Sequence, residues 1–126
     1  MAANCKATFR EATSKDARDW YGMDSPMSFR GYVAEVAGEV VGIGGVFYMN
    51  GIPIVFSDMK KDKRLDRKSI ARAIRLLIQL IDSNYRIVFA FPSDEEKTSK
   101  ALLVKLGFNP SGDFVPGYGP VYMRRV

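Results

Sequence analysis

The chain has 126 residues, 47% of them apolar, with 19 Lys or Arg against 14 Asp or Glu and a net charge of +5. This composition supports one domain with a real core, excludes a disordered chain, and contains no run of about 18 apolar residues to span a bilayer. With no histidine and a single cysteine, Cys5, the chain excludes an internal Ser-His-Asp triad, a His-liganded zinc site and an internal disulfide.

The positive charge favours an anionic partner: nucleic acid, a membrane surface or a phosphorylated cofactor. Cys5 reads as a small half-buried residue near a first strand, in a reducing compartment. The opening MAANCKATFREAT lacks the apolar stretch of a signal peptide, and a cytoplasmic location is the expectation.

Lys6 to Arg10 (KATFR) reads as a first strand. Ser14 is the expected N-cap of a short helix running to about Gly22, with Asp16 in its first turn and Trp20 and Tyr21 on its packed face. Asp24-Ser25-Pro26 is a turn. Phe29 to Val36 and Glu39 to Met49 are strands joined by a tight Ala37-Gly38 hairpin. Gly42, Gly44 and Gly45 inside the second of them predict a bulge or a close approach of another group. Asn50-Gly51 is a strong two-residue hairpin signal, so the strand from Ile52 runs back antiparallel.

A helix is expected from about Asp66 to Asp82. Its apolar face is Ile70, Ala73, Ile74, Leu77, Ile78 and Ile81. Arg86 to Phe91 is a continuous apolar run, as in a strand buried on both sides. Ser93 and Glu96 have capping-box spacing for a further helix that Gly107 ends. Val115 to Tyr118 and Val121 to Arg125 read as closing strands. The order β-α-βββ-α-β-α-ββ makes Ile52 to Phe91 a right-handed βαβ unit with parallel strands.

The stretch Ile52 to Ile81 carries the chemistry. A strand runs into a basic loop that opens directly into a helix with small residues, Ser69 and Ala71, in its first turn. The first amides of a helix lack intrahelical partners and carry partial positive charge, so this junction suits an anion. Lys60, Lys61, Lys63, Arg64, Arg67, Lys68, Arg72 and Arg75 surround it. They suit the phosphates of a cofactor, nucleic acid or simply solvent. The aromatics nearby, Phe56, Phe89 and Phe91, sit in strands that look buried, which argues against a single-strand nucleic-acid reader.

Phe9-Arg10-Glu11-Ala12-Thr13 with Asp16, the run Tyr32 to Gly42, and Leu103-Val104-Lys105-Leu106-Gly107-Phe108 occur in an order that resembles the GNAT superfamily of acyl-CoA-dependent N-acetyltransferases. The resemblance covers nearly the whole chain. It implies one GNAT-like domain over 1–126, of α/β (α+β) class. Its mixed, mostly antiparallel sheet is splayed and flanked by helices, with acetyl-CoA lodged between the fourth and fifth strands. The implied reaction is direct acetyl transfer to an amine acceptor. Dimers are common in that superfamily, and an open C-terminal edge strand is the place for a homodimer here.

The superfamily's pyrophosphate signature is Arg or Gln, two residues, Gly, one residue, then Gly or Ala. It aligns with Asp66 to Ala71, where Ser69 replaces the first Gly and Asp66 stands where a cation is usual. The implied cofactor-binding set is Met59, Lys60, Arg64, Arg67, Lys68, Ser69, Ile70, Ala71 and Arg72, and no metal is implied. Asp58 is the best base and Glu35 a weaker one; alternatively, Asp58 is a strand-end residue, either solvated or paired with Lys60. Many members carry a Tyr acid four residues before the helix-ending Gly. Here that position is Leu103, which cannot transfer a proton, and the usual Asn falls near Glu96. Short divergent members of this kind are similar to GNAT-like proteins of tailed bacteriophages, so the alternative function is a catalytically inactive interaction or virion protein.

Overall fold

A computed structural model describes residues 4–22, 28–92 and 103–126. The elements are β1 (Thr8–Glu11), α1 (Ser14–Tyr21), β2 (Phe29–Val36), β3 (Glu39–Met49), β4 (Ile52–Met59), α2 (Arg67–Asn84), β5 (Ile87–Ala90), β6 (Asn109–Val115) and β7 (Gly119–Arg125). The strands form one sheet of order β1-β2-β3-β4-β5-β7-β6. Its neighbours are antiparallel except β4 and β5, the two ends of the βαβ unit. The Asp24 turn and the Ser93–Glu96 capping box lie outside the described residues. No helix among the described residues is long and apolar enough to cross a membrane.

The two hairpins have the geometry their residues require. Ala37 (φ 52°) and Gly38 (φ 81°) join β2 to β3, and Asn50 (φ 52°) and Gly51 (φ 79°) join β3 to β4. Two successive left-handed residues match the right-handed twist of the flanking strands.

Alternation along β4 sends Val55, Ser57 and Met59 to the face covered by α2, and Ile54, Phe56 and Asp58 to the opposite face. On the α2 face, Val46, Val55, Leu77, Ile81, Val88, Ala90, Leu103, Leu106 and Phe108 make one core. On the other face Phe56 meets Phe29 and Phe47 edge-on, with ring centroids 6.2 and 5.6 Å apart. Between these faces Gly31 and Gly45 sit opposite each other on β2 and β3. The expected close approach is there: a Cβ at Gly45 would lie 2.0 Å from the Arg30 carbonyl oxygen.

Several boundaries differ from the sequence reading. The N-cap of α1 is Thr13, one residue before Ser14. It forms a reciprocal capping box with Asp16, which the Arg10 guanidinium also grips at 2.8 and 2.9 Å. That guanidinium, with help from Thr13, holds the Asp16 carboxyl well below the usual carboxylate range. Helix α2 continues to Asn84, with Tyr85 as its C-cap. Ile70 is 44% exposed rather than on the packed face. Ser69 takes the buried place in that turn because the N-terminal segment crosses there, and the Ala7 amide donates to Ser69 Oγ at 2.9 Å.

Strand β5 alternates between buried Val88 and Ala90 and half-buried Ile87 and Phe89, so it is not covered equally on both faces. The last hairpin starts at Asn109 rather than at Val115, and 116–118 is its turn. Almost every residue of β6 is exposed, so its sequence has no apolar alternation to mark it.

The Leu103–Phe108 segment ends a helix as its Gly predicts. The Phe108 amide donates to Leu103 O at 2.9 Å and the Gly107 amide to Val104 O at 3.0 Å, the paired bonds of a Schellman cap. Gly107 has φ 84°, and a Cβ there would sit 2.1 Å from Arg124 Nη1, which donates to Leu106 O. Gly107→Ala is therefore expected to cost about 1–2 kcal/mol, the usual penalty for a left-handed residue with a side chain. Chemical denaturation of the variant checks this.

Candidate active site

The ladder between β4 and β5 is short. It pairs Ile54 with Phe89 and Val55 with Ala90, and β5 ends at Ala90 while β4 runs on to Met59. Residues Phe56 to Met59 remain paired with Gly45, Gly44, Ile43 and Gly42 of β3. Their other edge has no strand partner among the described residues. The sheet is thus splayed where β4 leaves β5. A row of unpaired strand amides and carbonyls suits an extended ligand that itself carries amides.

Asp58 projects from the end of β4 on the face opposite α2. Its carboxylate is exposed and accepts from the Tyr21 hydroxyl at 2.5 Å. Burial first, then the hydrogen bond to Asp58 and its charge, push the Tyr21 phenol above the ordinary tyrosine range. The expected alternative, pairing of Asp58 with Lys60, does not occur. The Lys60 amide continues the ladder by donating to Val41 O, and this sets its ammonium against Glu39. Glu35, the weaker candidate base, accepts from Arg10 Nε at 2.6 Å and belongs to the β1–β2 ion pair.

At the start of α2, Asp66 is the N-cap and accepts from the Ser69 amide at 2.7 Å. Hydrogen bonds from Ser69, side chain and then backbone, hold the Asp66 carboxyl below its usual range. The Ser69 hydroxyl oxygen faces the Ala7 amide and is buried, at 4% exposure. Ser69 therefore presents neither its amide nor its side chain outward. The amides of Arg67 and Lys68 make no hydrogen bond among the described residues, and their side chains, with those of Arg64 and Arg72, are exposed. Met59, Ile70 and Ala71 are exposed as well, and Lys60 is half-buried.

A small cavity of about 80 Å³ lies under α2 beside the same end of β4, lined by Tyr32, Gly44, Ser57, Met59 and Leu77 among others. A polar groove of about 400 Å³ lies elsewhere, between Arg30 of β2 and Asn84 of α2. Leu103 is 7% exposed and packed in the core. At the end of β5, Tyr118 from the last turn stacks on Phe91 with centroids 5.2 Å apart. Tyr21, which the sequence places on the packed face of α1, is instead 46% exposed and bonded to Asp58, a contact that no spacing rule in the sequence predicts.

This sheet, with its splayed parallel β4–β5 pair and its central helix, has the GNAT acyl-CoA N-acyltransferase fold. The aminoglycoside acetyltransferase AAC(6')-Ib, solved with an aminoglycoside and acetyl-CoA, superposes with TM-score 0.67 at 15% identity, covering 95% of this chain and 93% of that one. An N-acetyltransferase from Staphylococcus aureus matches with TM-score 0.67 at 14% identity over 95% of this chain and 98% of its own. The ribosomal-protein-alanine N-acetyltransferase of Escherichia coli matches with TM-score 0.64 at 12% identity over 95% and 94%. No protein-family profile and no curated protein matches the sequence.

Proposed function

We propose that this chain is an acetyl-CoA-dependent N-acetyltransferase, acting as a single 1–126 domain on an amine acceptor. The observation that carries the reading is the unpaired outer edge of β4. It leads past Met59 and Lys60 to a helix start with exposed cations, while Asp58 faces the other side of the sheet. Acetyl-CoA, when bound, supplies an activated acetyl thioester.

The residues present fit that group in two parts. The free edge at 56–59 matches the amides of an extended pantetheine arm. The unpaired amides of Arg67 and Lys68, with the side chains of Arg64, Arg67, Lys68 and Arg72, suit a pyrophosphate, whereas the Lys60 ammonium would first have to leave Glu39. Ile70 and Ala71 are exposed in the same first turns of α2, and of the two only Ala71 is small. Ser69 contributes only its size, because Asp66 occupies its amide. Phosphate binding here accordingly leans on side-chain cations more than in a chain with Gly at this position.

Asp58 takes the amine proton, and the sheet positions both reactants and removes water from between them. The exposed edge of β6 is where a homodimer would pair, and the cytoplasm is where the cosubstrate is available. The alternative, an inactive interaction or virion protein, gains nothing from the three neighbours above, all named as acetyltransferases.

Calorimetric titration with acetyl-CoA at low and physiological salt tests the reading. The wild type is expected to bind, and Arg67→Glu with Lys68→Glu is expected to weaken binding at least tenfold, about 1.4 kcal/mol. Unchanged affinity in the double variant removes the helix start from the site. No binding by the wild type at either salt retires the acetyltransferase reading, and salt-sensitive binding to generic DNA would then favour a nucleic-acid interface.

A further inference from the structure

We propose that Tyr21 is the proton donor of this site, supplying from α1 the acid that Leu103 cannot. The inference rests on the acetyl-transfer reading above. The Tyr21 phenol donates to Asp58 Oδ2 at 2.5 Å, which joins the end of α1 to the end of β4 beside the free edge. Tyr21 is 46% exposed and so open to a reactant, whereas Leu103 is 7% exposed and packed among Val88, Leu106 and Phe108.

The step balances with these two groups alone. A C–N bond forms between the amine nitrogen and the acetyl carbonyl carbon, and the C–S bond breaks. The amine proton passes to Asp58. The departing thiolate takes the phenol proton of Tyr21, and Asp58 returns its proton to the phenolate oxygen across the same hydrogen bond. Amide and thiol leave, and both residues are back in their starting states.

The coupling also orders the events. Three causes raise the phenol: burial, the bond to Asp58 and the Asp58 charge. The last two weaken once Asp58 is protonated. Tyr21 thus holds its proton while Asp58 is ionised. It becomes the better acid when Asp58 has taken the amine proton and the sulfur is leaving. Asp58 is the charged group facing the phenol from β4, and Arg18 lies one turn earlier on α1.

The test compares Tyr21→Phe with the wild type on two acyl donors, using phenethylamine and other simple primary amines as acceptors. One donor is acetyl-CoA. The other is S-acetyl-4-nitrothiophenol, whose thiolate leaves without needing a proton. With acetyl-CoA the variant is expected to be slower by about 10²-fold, and with the aryl thioester this ratio falls at least about tenfold. Equal ratios for both donors overturn the role, because a residue that merely positions Asp58 slows both alike. Turnover of neither donor by the wild type overturns the acetyl-transfer reading and this inference together.

A measurement independent of turnover accompanies it. In the ultraviolet difference titration of wild type against Tyr21→Phe, the missing phenol is expected to ionise above the ordinary tyrosine range, and Asp58→Asn is expected to bring it only part of the way back, because burial is the largest cause of the shift. Ionisation near pH 10 in the wild type overturns the pairing.

Discussion

Asp58→Ala is expected to lower the acetylation rate at neutral pH by about 10²-fold, near 2.7 kcal/mol of barrier. The carboxylate stands alone among the side chains at the end of β4 in its ability to accept a proton there. Ser57 and Met59 lie on the other face, and the Lys60 ammonium is engaged with Glu39. Folding should survive the change, because Asp58 is exposed and its one described bond is to the half-exposed Tyr21. The sign of the pH response separates base loss from misfolding. An amine acceptor becomes its own neutral nucleophile as pH rises toward its pKa, so the deficit of the variant shrinks with rising pH. Steady-state rates across that range check this. Turnover equal to wild type at neutral pH would remove Asp58 from the chemistry.

Gly45→Ala is expected to be the most damaging single methyl in the sheet. The added Cβ would meet the Arg30 carbonyl oxygen at 2.0 Å and Gly31 Cα at 2.6 Å. Both are backbone atoms of the paired strand, so relief requires opening the β2–β3 ladder. A cost of about 3 kcal/mol follows from overpacking alone, against a total stability of order 5–15 kcal/mol for a domain. Gly44→Ala is the matched control. Its nearest neighbour, the Phe56 carbonyl oxygen, is 3.3 Å away, so the strand need give by only a few tenths of an ångström. Denaturant midpoints should therefore separate the two variants. Equal losses would assign the effect to glycine's strand propensity and not to the close approach.

The splay at β4 gives these residues their meaning. A ladder of two paired positions holds β4 and β5 together near Val55. Beyond it, the strand carrying Asp58 keeps one partner, β3, and presents its other edge. The proposed base, Asp58, and the free edge therefore belong to the same four residues, 56–59. Any ligand lying along that edge is brought within reach of the carboxylate by the strand alone.

Much of the architecture was legible in the sequence because it is decided locally. Asn50-Gly51 and Ala37-Gly38 place both central residues at positive φ with little strain, so the β2–β3–β4 meander follows from four residues. The apolar spacing of α2 and the glycine at 107 mark their elements in the same way. The β6 strand escaped because its exposed residues carry no alternation.

The site was legible only in outline. The basic loop and Asp58 can be found by their chemistry and by resemblance, but the roles within the set come from contacts across the fold. Tyr21 reaches Asp58 over 37 positions of chain, and Ala7 turns Ser69 inward over 62. Propensity and periodicity report how a segment prefers to bend, which depends on its neighbours in sequence. Which hydroxyl meets which carboxylate depends instead on how α1 and the N-terminal segment pack against the sheet. Elements and turns were thus determined by the sequence itself, whereas the Tyr21–Asp58 pair and the occupied Ser69 amide were decided by tertiary packing.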